Sequence, residues 1–124
     1  MRDYTLRPVL SVRLFCDNEK SFGPGIAELL RRVREKGSLR AAAASMNMAY
    51  SKAWRIAHEM EQALGYPILV STTGGKNGGG AILTDEGEAL FSAYQAYVNA
   101  LQADAERLFQ EYFAQCPSSP FPRR

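Results

Sequence analysis

The sequence predicts a mainly α fold with a small β-sheet, and three observations carry that reading. Four segments between Ile26 and Gln115 repeat apolar residues every three or four positions, the spacing of one helix face. Two β-type runs, PILVST and AILT, flank a stretch with five glycines between Gly74 and Gly80. Gly37 and Gly65 stand where helical periodicity stops, as glycine does beyond a helix end. At 124 residues, the chain is long enough for one domain with a real core. That domain is expected to run over residues 1–116, followed by a disordered tail at 117–124.

The elements follow in order. LRPVLSVRLF, Leu6 to Phe15, alternates Leu10, Val12 and Leu14 with Ser11 and Arg13, which predicts a strand with one buried face. Pro8 has no amide hydrogen and belongs at its edge or start. CDNEKSFGPG reads as a turn. IAELLRRVREK then sets Ile26, Leu29, Leu30 and Val33 on one side and arginines on the other, an amphipathic helix ended by Gly37. Ser38 is a natural N-cap for LRAAAASM, whose inward stripe is Leu39, Ala42, Ala43 and Met46. Its four alanines leave room for a close helix neighbour. Asn47 to Ala49 make a short turn into YSKAWRIAHEMEQAL, residues 50–64, with Ala53, Ala57, Met60 and Leu64 inward. Gly65 and Pro67 end it.

Two helices joined by a turn this short make a helix-turn-helix. The two β-type runs then form a hairpin with a glycine-rich tip. A long helix is predicted over 85–115, with Asp85, Glu86 and Glu88 favourably placed against its N-terminal dipole. Strand, three helices, hairpin, long helix is the winged helix-turn-helix arrangement, with the glycine run as the wing. Other uses of the glycines fail. A phosphate-binding P-loop requires Ser or Thr after Gly-Lys, whereas Asn77 follows Lys76, and the run leads into a strand rather than a helix. A linker would need a domain boundary, and none is there.

Composition is that of a soluble globular protein, 46% hydrophobic and 23% charged. There is no secretory signal pattern and no membrane-length apolar run, and Cys16 and Cys116 lack metal-type spacing. A cytoplasmic protein without membrane association is therefore expected. The net charge of +2 hides an asymmetry. Residues 31–76 hold eight basic and three acidic side chains, a net +5, whereas residues 77–116 hold one basic and six acidic, a net −5. The basic middle points to a polyanion partner.

Recognition motifs sharpen this. SMNMAYSKAWRIAHEMEQ followed by TTGGKNGGGAILTDEGEALFSAY resembles the amino-terminal domain of the molybdate-responsive ModE regulators. GSLRAAAASM also resembles the DNA-binding domain of LysR-type regulators. The resemblance runs from about Leu10 to Phe113 and implies a DNA-binding transcriptional regulator. Full-length ModE regulators carry C-terminal domains that bind molybdate; nothing in residues 114–124 could form such a site, so the resemblance implies a DNA-binding domain lacking its usual sensor.

The helix at 50–64 would enter the major groove through its N-terminal half. Arg55 is the candidate base reader, since arginine makes a bidentate contact to guanine. Lys52 would reach phosphate or base. Tyr50 and Ser51 would touch phosphate or cap and pack. Ser38 and Arg40, at the start of the preceding helix, would do both, capping it and meeting backbone phosphate. Thr73, Lys76 and Asn77 belong to the wing, with Lys76 on phosphate or in the minor groove and Asn77 as a polar contact. Trp54 is expected to anchor the core, and His58 to be solvated or near phosphate.

The long helix would pair with a copy of itself through Leu90, Tyr94, Tyr97, Leu101, Leu108 and Tyr112, because a helix of about 30 residues, about 45 Å long, outruns a domain of this size. A homodimer would present two recognition helices to a palindromic site with half-sites about 34–36 Å apart. No catalytic constellation and no cofactor site stands out. The alternative is an interaction module pairing with a full-length ModE-like partner, with little DNA binding of its own. A small oxyanion-binding protein ranks below both, because an exposed glycine loop is poorly preorganised.

Overall fold

The computed structural model of the chain describes residues 6–72 and 80–116. The elements are β1 (Leu14–Cys16), β2 (Glu19–Phe22), α1 (Pro24–Lys36), α2 (Leu39–Ser45), α3 (Tyr50–Leu64), β3 (Leu69–Thr72), β4 (Gly80–Leu83) and α4 (Asp85–Phe113). The fold is mostly helical with two separate two-stranded antiparallel sheets, consistent with a winged helix-turn-helix. Two compact units can be distinguished in the chain, and the tail expected at 117–124 lies outside the described residues. One is Ser11–Tyr94; the other combines the described parts of Met1–Leu10 and Gln95–Arg124.

The first sheet departs from expectation. The strand predicted over Leu6–Phe15 shrinks to Leu14–Cys16, and the predicted turn contains its partner, with Leu14 opposite Phe22 and Cys16 opposite Glu19. Asp17 turns the hairpin at φ 53°, a left-handed conformation that aspartate tolerates. A strand extends only as far as it finds a ladder partner, and β2 supplies four residues. The alternation itself survives in the burial of Ser11 to Phe15, where Val12 and Leu14 are half-buried between exposed neighbours. β2 was missed because EKSF does not alternate: its first two residues are exposed and its last two buried. Ser21 satisfies its buried hydroxyl by donating to the Leu14 carbonyl at 3.2 Å.

The helices follow their local signals closely. α1 begins two residues earlier than predicted, at Pro24, because a proline at the first helical position lacks only an amide that would have no intrahelical partner. Gly37 ends α1 at φ 80°, and its N–H donates to the Val33 carbonyl at 2.8 Å. Ser38 caps α2 as expected, its hydroxyl accepting from the Ala41 N–H at 2.9 Å. Of the four alanines, Ala42 and Ala43 are fully buried. Asn47, at φ 53°, turns the chain into α3, which spans the predicted 50–64 and ends at Gly65.

The core of the Ser11–Tyr94 unit joins Leu29, Leu30 and Val33 of α1 to Ala53, Ala57 and Met60 of α3, with Phe22 and Ile68 fully buried. Phe22 meets the Tyr94 ring edge-on at 4.9 Å, and the Tyr94 hydroxyl donates to the Val12 carbonyl at 2.6 Å. Burial pushes the Tyr94 phenol above its ordinary pKa.

In the second hairpin Leu69 faces Leu83 and Thr72 faces Gly80. The Ala81 N–H donates to the Gly37 carbonyl at 2.9 Å, tying β4 to the junction of α1 and α2. Thr84 caps α4, accepting from the Gly87 N–H at 2.9 Å and donating to the Pro67 carbonyl at 2.8 Å. Gly87 is required here by space, because a Cβ would lie 2.6 Å from the Ile68 carbonyl oxygen. In the other unit, Gln102 donates to the Pro8 carbonyl at 3.2 Å, and Phe109 stacks on Phe113 with centroids 4.9 Å apart. No helix among the described residues is long and apolar enough to cross a membrane.

Candidate nucleic-acid interface

Ion pairing sorts the described basic residues between Arg31 and Arg55 into two groups, while Arg7, Arg13 and Lys20 earlier in the chain have no carboxylate partner among the described residues. Arg31 binds Glu28 and Glu35, Arg32 binds Glu28, and Arg34 binds Glu88 while its guanidinium lies 4.5 Å over the Phe91 ring. These three arginines are largely neutralised within the fold. Among the described residues, Lys36, Arg40, Lys52 and Arg55 have no carboxylate partner, and the last three lie on α2 and α3. The net +5 counted from residue 31 therefore overstates the positive charge around α1, because Glu28 lies just before that window. Three and four residues separate it from Arg31 and Arg32, a spacing that places them side by side on a helix.

The two guanidinium partners hold the Glu28 carboxyl at a pKa of about 2, first through the Arg31 hydrogen bond and then through that of Arg32, against an ordinary value of 4.5. A depressed carboxylate pKa stabilises the fold above the unfolded value, and this contribution is lost as the pH falls from 4.5 toward about 2. The carboxylate is a third exposed, so solvent screens the pair and the effect is modest. Urea denaturation of wild type and Glu28→Gln should show a stability gap at neutral pH that narrows below about pH 4.5. A gap that stays constant to pH 3 would mean the arginines do not hold this proton off.

α3 buries Ala53, Ala57 and Met60 and turns its opposite side to solvent. Ser51, Lys52 and Arg55 are exposed on that side, and Tyr50 is more than a third exposed. Arg40 from α2 reaches across to Tyr50, its guanidinium 4.1 Å above the ring. Tyr50 thus packs against Arg40, while no side chain caps the α3 N-terminus. Arg40 and Tyr50 are thereby brought together, Ser51, Lys52 and Arg55 follow on the exposed side of α3, and Ser38 stands at the N-terminal end of α2, where it caps the helix. Thr73, Lys76 and Asn77 lie outside the described residues.

Trp54 corrects the sequence reading. It is not a core anchor: it is 51% exposed and stacks on the His58 imidazole, ring centroids 4.8 Å apart and planes 9° from parallel. One residue shifts a helical side chain by about 100°, enough to carry Trp54 from beside the apolar stripe onto the open flank. The signal was in the spacing, since Tyr50, Trp54 and His58 recur every four residues. These rings and Arg40 line an open cleft of about 260 Å³ whose other wall is β3 and β4.

Glu61, near the C-terminal end of α3, fixes that wall. Its carboxylate accepts the Ile68 N–H at 2.7 Å and the Leu69 N–H at 3.0 Å, joining the end of α3 to the start of β3. Glu61→Ala should cost about 1–3 kcal/mol, given what hydrogen bonds to a charged group contribute at a half-buried site. It should also speed hydrogen exchange at the Ile68 and Leu69 amides ahead of the rest of the chain. Unchanged exchange there would assign the loss to α3 alone.

Of the dimerisation candidates, Tyr94 is engaged in the core of its own unit and only 5% exposed. Leu90 and Leu101 are half-buried. Tyr97, Leu108 and Tyr112 are exposed, the last at 77%. An exposed apolar row of this kind on a helix is available for a partner.

Chemically, exposed cations on a helix-turn-helix beside a hairpin suit a polyanion whose grooves admit a helix. Comparison with known proteins agrees. Residues 27–88 match the model of the bacterial regulatory helix-turn-helix proteins of the lysR family. The chain is 36% identical over 84 residues to the molybdenum-pterin-binding protein MopB of Rhodobacter capsulatus, covering 68% of this chain and 30% of that protein. It is 34% identical over 84 residues to the molybdenum transport protein ModE of Azotobacter vinelandii, covering 64% and 31%. Over 85 residues it is 34% identical to the DNA-binding transcriptional dual regulator ModE of Escherichia coli, covering 68% and 30%. The matched part of the chain thus spans less than a third of the length of these relatives. The similarity is to ModE-like DNA-binding sequence, as the YSKAW and TGGK motifs implied. The match to the family model covers half of the chain, from the second turn of α1 through the hairpin to the first turn of α4, and the chain belongs to the lysR family of bacterial regulatory helix-turn-helix proteins.

Proposed function

We propose that this protein is a site-specific DNA-binding transcriptional regulator that binds a palindromic operator as a homodimer. The observation that carries this reading is the separation of the basic residues. Arg31, Arg32 and Arg34 are engaged in ion pairs within the fold, while Arg40 of α2 and Lys52 and Arg55 of α3 are exposed and without a carboxylate partner among the described residues. In this reading α3 enters the major groove and the glycine-rich wing carries Lys76 to the backbone or minor groove. The exposed row Tyr97, Leu108 and Tyr112 on α4 pairs with a second copy. Two of the relatives are named for molybdenum, which makes genes of molybdenum handling the natural targets.

The test is selection of bound duplexes from a random DNA library at near-physiological salt. A two-fold symmetric motif would support a dimeric regulator and give its operator. Recovery without a motif, lost as salt rises, would leave nonspecific binding and favour pairing with a longer ModE-like partner. For the wing, Lys76→Ala should weaken binding on all sequences and reduce the magnitude of the salt slope by about one unit. An unchanged slope would remove Lys76 from the phosphate contacts.

A further inference from the structure

We propose that Trp54, held in place by His58, reads the 5-methyl group of a thymine in the major groove, an inference that rests on the DNA-binding reading above. The indole sits on α3 immediately before Arg55, and about half of it is exposed. An apolar ring left in water on this helix adds little to folding. The parallel stack on His58 covers one indole face and restricts the side chain, so little rotational entropy remains to be lost on binding. Its open surface belongs to the cleft between α3 and the second hairpin.

Tyr50, Trp54 and His58 form one row along this flank, and Arg40 closes the N-terminal end over Tyr50. Bases in a duplex are stacked on one another and offer no faces to an indole. The apolar group that the major groove does present is the thymine methyl. Arg55 and Trp54 then divide the work: the guanidinium takes a hydrogen-bonding base edge and the indole takes an adjacent methyl. His58 is a positioning residue that sets the indole plane.

Trp54 is the single tryptophan of the chain, so its emission reports this place alone. A selected duplex with a fluorescein label at one end gives binding by anisotropy, independently of Trp54. At saturation, acrylamide should quench Trp54 several-fold less efficiently than in the free protein. Each thymine of the site is then replaced in turn by deoxyuridine, which removes one methyl group. At one thymine per half-site, wild type should bind about fourfold more weakly, the value of one buried methyl. Trp54→Ala should lose at least as much on the thymine duplex and be indifferent to deoxyuridine at that position. His58→Ala should blunt the thymine preference, and His58→Phe, which keeps a ring to stack on, should restore it.

Binding by anisotropy with unchanged quenching would overturn the proposal. So would equal deoxyuridine responses of wild type and Trp54→Ala at every thymine. Failure of wild type to select any motif would end the site-specific reading and this inference together, whereas the two preceding outcomes end this one alone.

Discussion

Phe22→Ala should destabilise the protein by about 3–5 kcal/mol, the range for deleting a buried aromatic ring. Phe22 is completely buried at the end of β2 and packs edge-on against Tyr94 at 4.9 Å. Alanine there leaves a cavity that the surrounding helices close only in part, and Tyr94 loses its aromatic partner. Tyr94 in turn holds Val12 through its hydroxyl, so the loss extends to the chain entering β1. Phe15→Ala, on the same hairpin but 56% exposed, should change stability by no more than about 0.5 kcal/mol. Urea denaturation of both variants beside wild type checks the pair. Similar losses for the two would mean that the hairpin contributes as a unit rather than through the buried ring.

Arg55→Ala should lower affinity for the selected duplex by about 1–3 kcal/mol, roughly fivefold to 150-fold, and relax preference at particular base pairs. Arg55 is exposed on the side of α3 opposite the buried Ala53, Ala57 and Met60, and no internal carboxylate among the described residues competes for it. Titrating wild type and variant against single-base changes of the operator at fixed salt measures the effect. Loss of discrimination at one or two positions is the expected result. Equal weakening on every duplex, with a smaller salt slope, would make Arg55 a phosphate contact, as Lys52 is in one of its two readings.

Much of this architecture is written locally. The three helices of the helix-turn-helix were legible from apolar spacing, and their ends from Gly37, Ser38 and Gly65, because a helix terminus is decided within about one turn of chain. The second hairpin was legible from two β-type runs around a glycine stretch. Arg40, Lys52 and Arg55 could be nominated because an outward position on an amphipathic helix follows from the inward ones. The pairing of Glu28 with Arg31 and Arg32 was equally local, and only the window chosen for counting charge hid it.

Other features depended on residues far apart in sequence. β2 became a strand because Leu14 to Cys16 lay beside it, and its Phe22 became core because Tyr94 came to meet it. The Glu88 that neutralises Arg34 is 54 residues away, and the amides that Glu61 holds belong to the strand after its helix. Trp54 and Tyr94 show the limit most plainly. Trp54 lies at the margin of an apolar stripe, where periodicity supports burial and exposure alike, and Tyr94 lies within one, where periodicity does not say whether its own unit or a partner covers it. By itself the sequence determined which segments are helices, where they stop, and which cations face outward, since these depend on contacts within four residues. Tertiary docking alone decided that Tyr94 is covered and Trp54 is open, because the side of a helix that a neighbour covers is set by where that neighbour packs.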